Sequence, residues 1–456
     1  MFLYLIIFII YLLLIVGVGW WYSRGIKNTE DYFLGGRRFG VFPIACTLAI
    51  SFIGGGMFMG MIGFLSKYGI ATIMMVMGMG ISFILLGVFL GPRLRKFNLR
   101  TLPQFIGQRF DGKTRFVIAF IALIAMVGSA AVQFKASGAI LNIVFNIPYI
   151  WALLIALSAV IFYSFLGGFR SVVATDVIQT VIVFIGVVLT LPIVLAAAGG
   201  MGNVVSKVSH LQNGQFFNFF SQGVVLVIGM FVILAVYAFI SPENHQRIYA
   251  SRNSRVAKKA GIYSGIFFVI IVGIVFLIGI IGLVFYPNLE NPDYFFPKLA
   301  VEILPAWLGS ILLASVAAAV MSSADTALVT ASSIFITDFY NKDSRKKISE
   351  KRILKISRLS VIIIGAIAFI IAFIFPTVAD LVIFYNSLLA SIALAPIVFG
   401  LFWKRASKAG AFYGSLGGGL TNIALFISGA DPAKSMLPSI VVACVVLVVL
   451  SLRNSG

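Results

Sequence analysis

Residues 41–65 read VFPIACTLAISFIGGGMFMGMIGFL, an apolar run without a charged residue and with three consecutive glycines near its middle. About 20 apolar residues are enough to cross a bilayer as a helix, but each glycine in a helix interior costs about 1 kcal/mol relative to alanine. Lipid tolerates irregular backbone only where protein or a water-filled cavity covers it. The run therefore predicts a membrane helix broken at residues 51–56, with carbonyl oxygens free to bind a cation. The alternative is that the glycines only allow close helix packing.

Similar apolar runs recur along the whole chain of 456 residues, which is 61% hydrophobic and only 11% charged. Soluble proteins average roughly half apolar and a quarter charged residues. We therefore expect an all-α polytopic membrane protein that forms a single transmembrane domain. The predicted spans, about thirteen in number, are residues 2–22, 41–65, 70–91, 116–142, 147–166, 172–199, 222–241, 260–286, 305–337, 356–375, 379–402, 409–428 and 436–452.

The placement of the basic residues predicts the orientation of these spans. The formal net charge is +20, and 29 of the 34 lysines and arginines fall in loops on one side of the predicted membrane. Cytoplasmic loops carry such a basic excess. We therefore expect a protein of the cell inner membrane with its N-terminus outside and its C-terminus in the cytoplasm. The charge reflects topology, so we expect no nucleic-acid partner.

The ninth predicted span contains an acid and several hydroxyls well inside the membrane. Ser322 precedes Asp325 by three positions and Thr326 by four, and the carbonyl of Ala319 lies one turn earlier. Such spacings place the oxygens on one helix face, where a hard cation such as Na⁺ binds best. Back-bonding to preceding carbonyls or helix packing also explains the hydroxyls. It does not explain Asp325, because a carboxylate at membrane depth is costly and marks a functional site.

Two further charged residues lie in or beside predicted spans. Asp176 sits at the cytoplasmic end of the sixth span, where a salt bridge to Arg170 is the alternative to a role in cation binding. Lys135 lies in the fourth span beside Gln133 and Ser137. Its ammonium group either extends to the interface, pairs with an internal acid, or receives a carboxylate of a solute.

Residue types that serve catalysis are absent from plausible positions in the sequence. His210 and His245 fall in predicted loops, and Cys46 and Cys444 fall inside apolar runs. The chain has neither a nucleophile elbow nor a phosphate-binding glycine loop. We therefore expect no enzyme activity and no cofactor other than a coupling ion.

Several ordered motifs together carry a family resemblance. They are DYFLGGR at 31–37, GGFR at 167–170 followed by Thr175, Asp176 and Gln179, AVMSSAD at 319–325 with DFY at 338–340, and Pro396 with GLFWKRA at 400–406. With these motifs the chain resembles the sodium:solute symporter family over nearly its whole length. The stretch around Asp325 is most similar to the choline transporters of that family, and the fourth span and the GGFR region to its pantothenate transporters. Where its proline transporters have an acid in the second span, this chain has Phe52, so the solute stays open.

The resemblance implies a fold and a division of the chain. The fold is the five-plus-five inverted repeat of the leucine-transporter type, which works by alternating access. An extra first helix and loop would occupy residues 1–39, the first repeat 40–200, the second repeat 220–405, and two C-terminal helices 406–456.

The resemblance also implies the ion sites. The family's conserved sodium site would consist of three carbonyls and two hydroxyls, those of Ile50, Ile53, Ala319, Ser322 and Ser323. A second cation site, found in some members, would consist of Asp176, Ser322, Asp325 and Thr326. For the solute we expect a pocket between the broken second and seventh spans and the fourth, ninth and eleventh spans. We expect contacts there from Gly55, Gln133 and Lys135.

These expectations lead to one function with open alternatives. The chain is expected to be a sodium-coupled symporter that imports a small organic solute, with Na⁺, the solute and the lipid bilayer as partners and no obligate protein partner. A proton-coupled transporter of the same fold, with Asp325 or Asp176 as the titrating group, is the first alternative. A membrane sensor that binds solute without transport is the second, and a channel is the third.

Overall fold

The fold is known from a computed structural model, which describes residues 2–341, 348–374, 378–430 and 432–453. The α-helices of these residues, in chain order, are α1 (Phe2–Ser23), α2 (Thr29–Leu34), α3 (Val41–Ile50), α4 (Met61–Tyr68), α5 (Ile73–Leu85), α6 (Gly91–Leu94), α7 (Leu102–Arg109), α8 (Gly112–Phe145), α9 (Tyr149–Ala197), α10 (Gly200–Ser209), α11 (Leu211–Gly214), α12 (Val224–Ala235), α13 (Tyr237–Ile240), α14 (Pro242–Ala250), α15 (Ser254–Gly282), α16 (Phe295–Lys298), α17 (Ala306–Ile334), α18 (Glu350–Ile374), α19 (Val378–Phe402), α20 (Lys408–Ile427) and α21 (Pro432–Arg453). Single π-helical turns extend several of them, including Gly56–Gly60 before α4.

Membrane-spanning helices dominate the fold. Within the described residues, nine helices are long and apolar enough to cross a membrane, and a tenth is added if a bent pair counts as one span. The predicted all-helical, polytopic class is thereby confirmed. The total of about thirteen spans stays a prediction. The first part of the second predicted span is the short helix Val41–Ile50, and the fifth predicted span is the short segment Tyr149–Phe162.

The second predicted span is broken, as its glycines indicate. Helix α3 ends at Ile50, and helical structure resumes with the turn Gly56–Gly60. A Cβ on Gly54 would collide with the side chains of Ser323 and Gln133. The glycines therefore do more than break the helix, since they let the irregular backbone approach α17 and α8 closely.

A single glycine divides α9 into the predicted fifth and sixth spans. Gly168 has φ 49° and ψ −158° inside the stretch Tyr149–Ala197, a backbone conformation that residues with a Cβ rarely adopt. A Cβ there would also collide with Tyr32. The neighbouring Arg170 donates a 3.1 Å hydrogen bond to the carbonyl of Gly25. The GGFR motif is thus a corner on the side of the protein that carries the first loop.

The seventh predicted span is bent, in agreement with the expected break, but it continues past its predicted end at residue 241. The chain bends by 45° there and continues as α14. Pro242 begins this helix, where its missing N–H costs nothing. Every residue of α14 is buried, including His245 and Arg247, which the sequence placed in a loop. The polar composition of this segment suggested that the chain leaves the membrane here, whereas the structure buries these side chains inside the protein.

Helix α17 is the centre of the protein. Its residues from Leu312 to Ile334 are buried throughout, and it packs against α1, α8 and α9 as well as α18. Small and hydroxyl side chains make this packing possible, because they let neighbouring backbones approach closely. The functional candidates of the ninth predicted span therefore lie in the protein interior and not at the lipid surface.

Candidate functional site

The break after α3 meets α17 at one point. A Cβ on Gly54 would lie against the Ser323 hydroxyl, and that hydroxyl donates a 3.1 Å bond to the Ala319 carbonyl. Ile50 and Ile53, the predicted carbonyl ligands, are fully buried beside the break. The structure therefore brings the irregular backbone of one helix to the hydroxyl-bearing face of another.

The chemistry of this region suits an alkali cation. Its oxygens come from carbonyls and hydroxyls, which hard cations prefer. Among the described residues, no group of three or more histidine, cysteine, aspartate or glutamate side chains is placed to hold a transition metal. The Ser323 hydroxyl donates to the Ala319 carbonyl four residues earlier, which is the back-bonding that the sequence left open as an alternative. The two oxygens lie 3.1 Å apart, and their role as ion ligands stays a prediction.

Asp176 lies next to this region and is fully buried. Its carboxylate accepts hydrogen bonds from the hydroxyl of Thr47 and, at 2.5 Å, from that of Ser322. Its ionic partner is Arg247, at 3.5 Å, so the salt bridge to Arg170 suggested by the sequence is wrong. Ser322 is thus shared between the predicted sodium site and Asp176.

Arg247 lies at the centre of the hydrogen-bonded contacts in this region. It is fully buried, and its Nε donates to the carbonyl of Thr47 at 3.1 Å and to its hydroxyl at 2.9 Å. One terminal nitrogen donates to Thr326 at 2.6 Å, and the other to the Glu243 carbonyl at 3.2 Å. The guanidinium therefore joins α14 to α3, α9 and α17.

The residues of the predicted second cation site surround the guanidinium of Arg247. Asp176 and Thr326 both contact Arg247, and Asp325 is close enough to interact with it electrostatically. Ser322 completes the group through its bond to Asp176. The structure thus brings the four predicted residues to one region, but with a protein cation among them. Arg247 already occupies one oxygen of Asp176 and the hydroxyl of Thr326, so an external cation would compete with this guanidinium for them.

Sequence reasoning missed Arg247 and Glu243. Both belong to the segment SPENHQR at 241–247, which follows an apolar run and looks like the start of a cytoplasmic loop. The signal that could have found them is the expected break in the seventh span. The polar stretch that begins with Pro242 marks the place of this break.

A small cavity lies beside the ion region. It is lined by residues of the α3 break, α8, α13, α14 and α19, namely Ser51, Phe52, Gly56, Met57, Ser129, Val132, Gln133, Tyr237, Glu243, Val382 and Tyr385. Its free space holds about one water molecule. An organic solute therefore enters in a more open conformation than this one.

The three predicted solute residues differ in their relation to this cavity. Gln133 lines it, and its Oε1 accepts a 2.8 Å hydrogen bond from the backbone N–H of Gly55. Lys135 is not among the described lining residues, and its Nζ lies 5.9 Å from the centre of the Tyr149 ring. The solute role of Lys135 stays a prediction that the geometry of this cavity does not favour.

The comparison with known families agrees with the fold. Residues 32–418 match the sequence profile of the sodium:solute symporter family. The chain belongs to this family. The sodium/pantothenate symporter of Escherichia coli K12 is 28% identical over 427 residues, which cover 90% of this chain and 88% of that protein. The sodium/proline symporter of Haemophilus influenzae is 29% identical over 479 residues, or 99% and 94% of the two chains.

Other family members differ in the solute that their names give. The sodium/glucose cotransporter of Vibrio parahaemolyticus is 27% identical over 452 residues, covering 90% of this chain and 82% of that protein. Among solved structures, a Na⁺-coupled sialic acid symporter superposes with a TM-score of 0.87 at 19% identity, covering 99% and 98% of the two chains. A nucleobase-cation-symport-1 family transporter gives 0.63 at 14% identity, covering 92% and 94%. These structures establish a shared fold.

Proposed function

We propose that this protein is a sodium-coupled symporter that imports a small organic solute through the cell membrane by alternating access. Membership of the sodium:solute symporter family supports sodium as the coupling ion. The proposed ligands of Na⁺ are the carbonyls of Ile50, Ile53 and Ala319 and the hydroxyls of Ser322 and Ser323.

One observation carries the coupling argument. The end of α3 and the break after it provide Ile50 and Ile53, two of the proposed sodium ligands. The intervening Ser51 and Phe52 line the small cavity described above, which we call the solute cavity. An ion that orders this backbone also shapes the wall of the cavity. Because coupling between two binding sites is reciprocal, the solute must in turn increase the affinity for sodium.

The architecture that supports this function is also a proposal. We propose about thirteen spans with an inverted repeat over residues 40–200 and 220–405, after an extra helix and loop at 1–39 and before two helices at 406–456. The second span, broken after α3, and the seventh span, bent before α14, would then be equivalent elements of the two repeats. The hydrogen bond between Arg247 and Thr47 joins these two spans.

The experiment that tests the function is uptake by the purified protein in proteoliposomes. An inward sodium gradient should drive accumulation of one solute from a panel of proline, pantothenate, choline, sugars and monocarboxylates. Replacing sodium by potassium should abolish accumulation at every pH. Uptake driven by a proton gradient in sodium-free buffer would favour proton coupling, and saturable binding without any uptake would favour a sensor.

A further inference from the structure

Glu243 lies where the seventh span bends, and its carboxylate faces the solute cavity. Its side chain is buried, with 3% of the residue exposed. Oε1 accepts a 2.8 Å hydrogen bond from the hydroxyl of Tyr237, whereas Oε2 has no hydrogen-bond partner among the described residues. One acceptor of a buried carboxylate therefore remains available beside the cavity.

The nearby arginine does not neutralise this carboxylate by direct contact. Arg247 is hydrogen-bonded to Thr47 and Thr326, pairs with Asp176, and reaches only the main-chain carbonyl of Glu243. Arg247 therefore acts on this carboxylate only electrostatically and not through a direct ion pair. A buried carboxylate without a direct ionic partner is costly and, inside a membrane, is a candidate functional site. A positive charge that enters the cavity would supply the missing partner.

The other walls of the cavity indicate an organic cation. Phe52 and Tyr237 pack with their ring centres 4.5 Å apart, and Tyr385 belongs to the same lining. Aromatic faces attract ammonium groups, especially when water is excluded. Ser51, Ser129 and Gln133 add hydroxyl and amide groups to the same lining. The three aromatic rings favour an organic ammonium group over a bare alkali ion, which binds through oxygen ligands alone.

From these contacts we propose that Glu243 binds a positively charged ammonium group of the transported solute, with Phe52, Tyr237 and Tyr385 around it. The solute is therefore an amine, an amino acid or a quaternary ammonium compound. It is not a sugar or a simple carboxylate. This inference deepens the proposed function and rests on it, and it uses a site separate from the sodium ligands.

The test is binding to the purified full-length protein in sodium chloride, measured by calorimetry. The probes are choline, ethanolamine, proline and putrescine, with 3,3-dimethylbutan-1-ol as the neutral isostere of choline and ethylene glycol as the neutral counterpart of ethanolamine. Choline and ethanolamine distinguish a quaternary from a primary ammonium group. We expect one of the cationic or zwitterionic compounds to bind, and its neutral counterpart to bind at least tenfold more weakly.

Variants then assign this preference to Glu243. In Glu243→Gln the affinity for the ammonium compound should fall roughly ten- to hundredfold, the scale of a charged hydrogen bond. Glu243→Asp should restore part of the affinity, because it keeps the charge. The matched control is Glu302→Gln, which removes a carboxylate that is likewise bonded to a tyrosine, Tyr286 at 2.7 Å, but lies outside the cavity. This control should bind like the unaltered protein.

Two results would overturn the inference. One is that no ammonium compound binds better than its neutral counterpart, and the other is that Glu243→Gln binds the ammonium compound with unchanged affinity. If Glu243→Gln does not fold, Tyr385→Leu takes its place, with the same expected loss and the same contrary outcome. Sodium-dependent uptake of a sugar or carboxylate would remove this inference while leaving the proposed symport intact, whereas no sodium-dependent uptake of any solute would remove the proposed function itself.

Discussion

The guanidinium of Arg247 donates to both oxygens of Thr47, at 3.1 Å to the carbonyl and 2.9 Å to the hydroxyl. Thr47 lies on α3, and Arg247 on α14. The contact therefore joins the two helical segments that border the two breaks in the chain. In a transporter that opens by moving such segments apart, this contact has to separate in each cycle.

The first prediction concerns the sodium ligands. Ser323→Ala removes a hydroxyl next to the helix break, and the concentration of sodium for half-maximal uptake should rise roughly tenfold, by analogy with a charge-assisted hydrogen bond. Ser322→Ala/Ser323→Ala should raise it further. Apparent solute affinity at fixed sodium should fall and should recover when sodium is increased.

Sodium-dependent uptake in proteoliposomes checks this prediction. The matched control is Ser333→Ala, on the same helix, whose buried hydroxyl has no hydrogen-bond partner within the described part of the chain. An unaltered sodium dependence in the correctly inserted double variant would show that the two serines only pack helices.

The second prediction concerns the close approach at the break. Gly54→Ala places a Cβ against the side chains of Ser323 and Gln133, so the backbone must move away from α17. We expect at least a tenfold loss of apparent sodium affinity. Gly273→Ala is the control, because a Cβ there meets no described atom within 4 Å. Equal transport by both variants would mean that the close approach is irrelevant to ion binding.

The third prediction concerns the stability of the buried ion pair. Arg247→Gln leaves Asp176 without its ionic partner and should destabilise the protein by about 3 to 5 kcal/mol. Arg247→Gln/Asp176→Asn removes both charges and should be more stable than the single variant. Unfolding in detergent measures both. Arg170→Gln is the control, since Arg170 bonds only to a main-chain carbonyl in the described contacts, and an equally large loss there would contradict the assignment.

The fourth prediction concerns the number of sodium ions. Because Arg247 contacts Asp176 and Thr326, we expect one coupling ion and a Hill coefficient for sodium of about one. Asp325→Asn should then leave the Hill coefficient unchanged. Radioactive sodium and solute fluxes measured together give the stoichiometry. A coefficient of about two that falls to about one in Asp325→Asn would mean that a second ion displaces the guanidinium.

The fifth prediction concerns topology. In a background with Cys46 and Cys444 replaced by serine, Lys27→Cys should resist a membrane-impermeant maleimide added to intact cells. Ser206→Cys should react. Both side chains are exposed, so accessibility to the two sides of the membrane decides the outcome. Labelling of Lys27→Cys from outside would reverse the proposed orientation.

The sequence predicted the parts of this protein in which local pattern decides structure. The apolar runs, the break at the three glycines and the separation of the fifth and sixth spans around Gly168 all follow from hydropathy and backbone freedom. The interior of α14 could not be predicted in this way, because burial of Glu243 and Arg247 depends on partners distant in sequence. Arg247 finds Thr47 200 positions away and Thr326 79 positions away.

The guanidinium of Arg247 also has a consequence for the electrical behaviour of the protein. An acid that is neutralised only by a bound ion carries an uncompensated negative charge whenever that ion leaves. Moving one such charge through a membrane potential of 100 mV costs about 2.3 kcal/mol. The counter-charge of Asp176 is instead a side chain of the protein itself, Arg247. As long as this pair stays together, we expect the return of the empty carrier to add no voltage dependence at this position, so that membrane potential acts mainly on the arriving sodium and on any charge the solute carries.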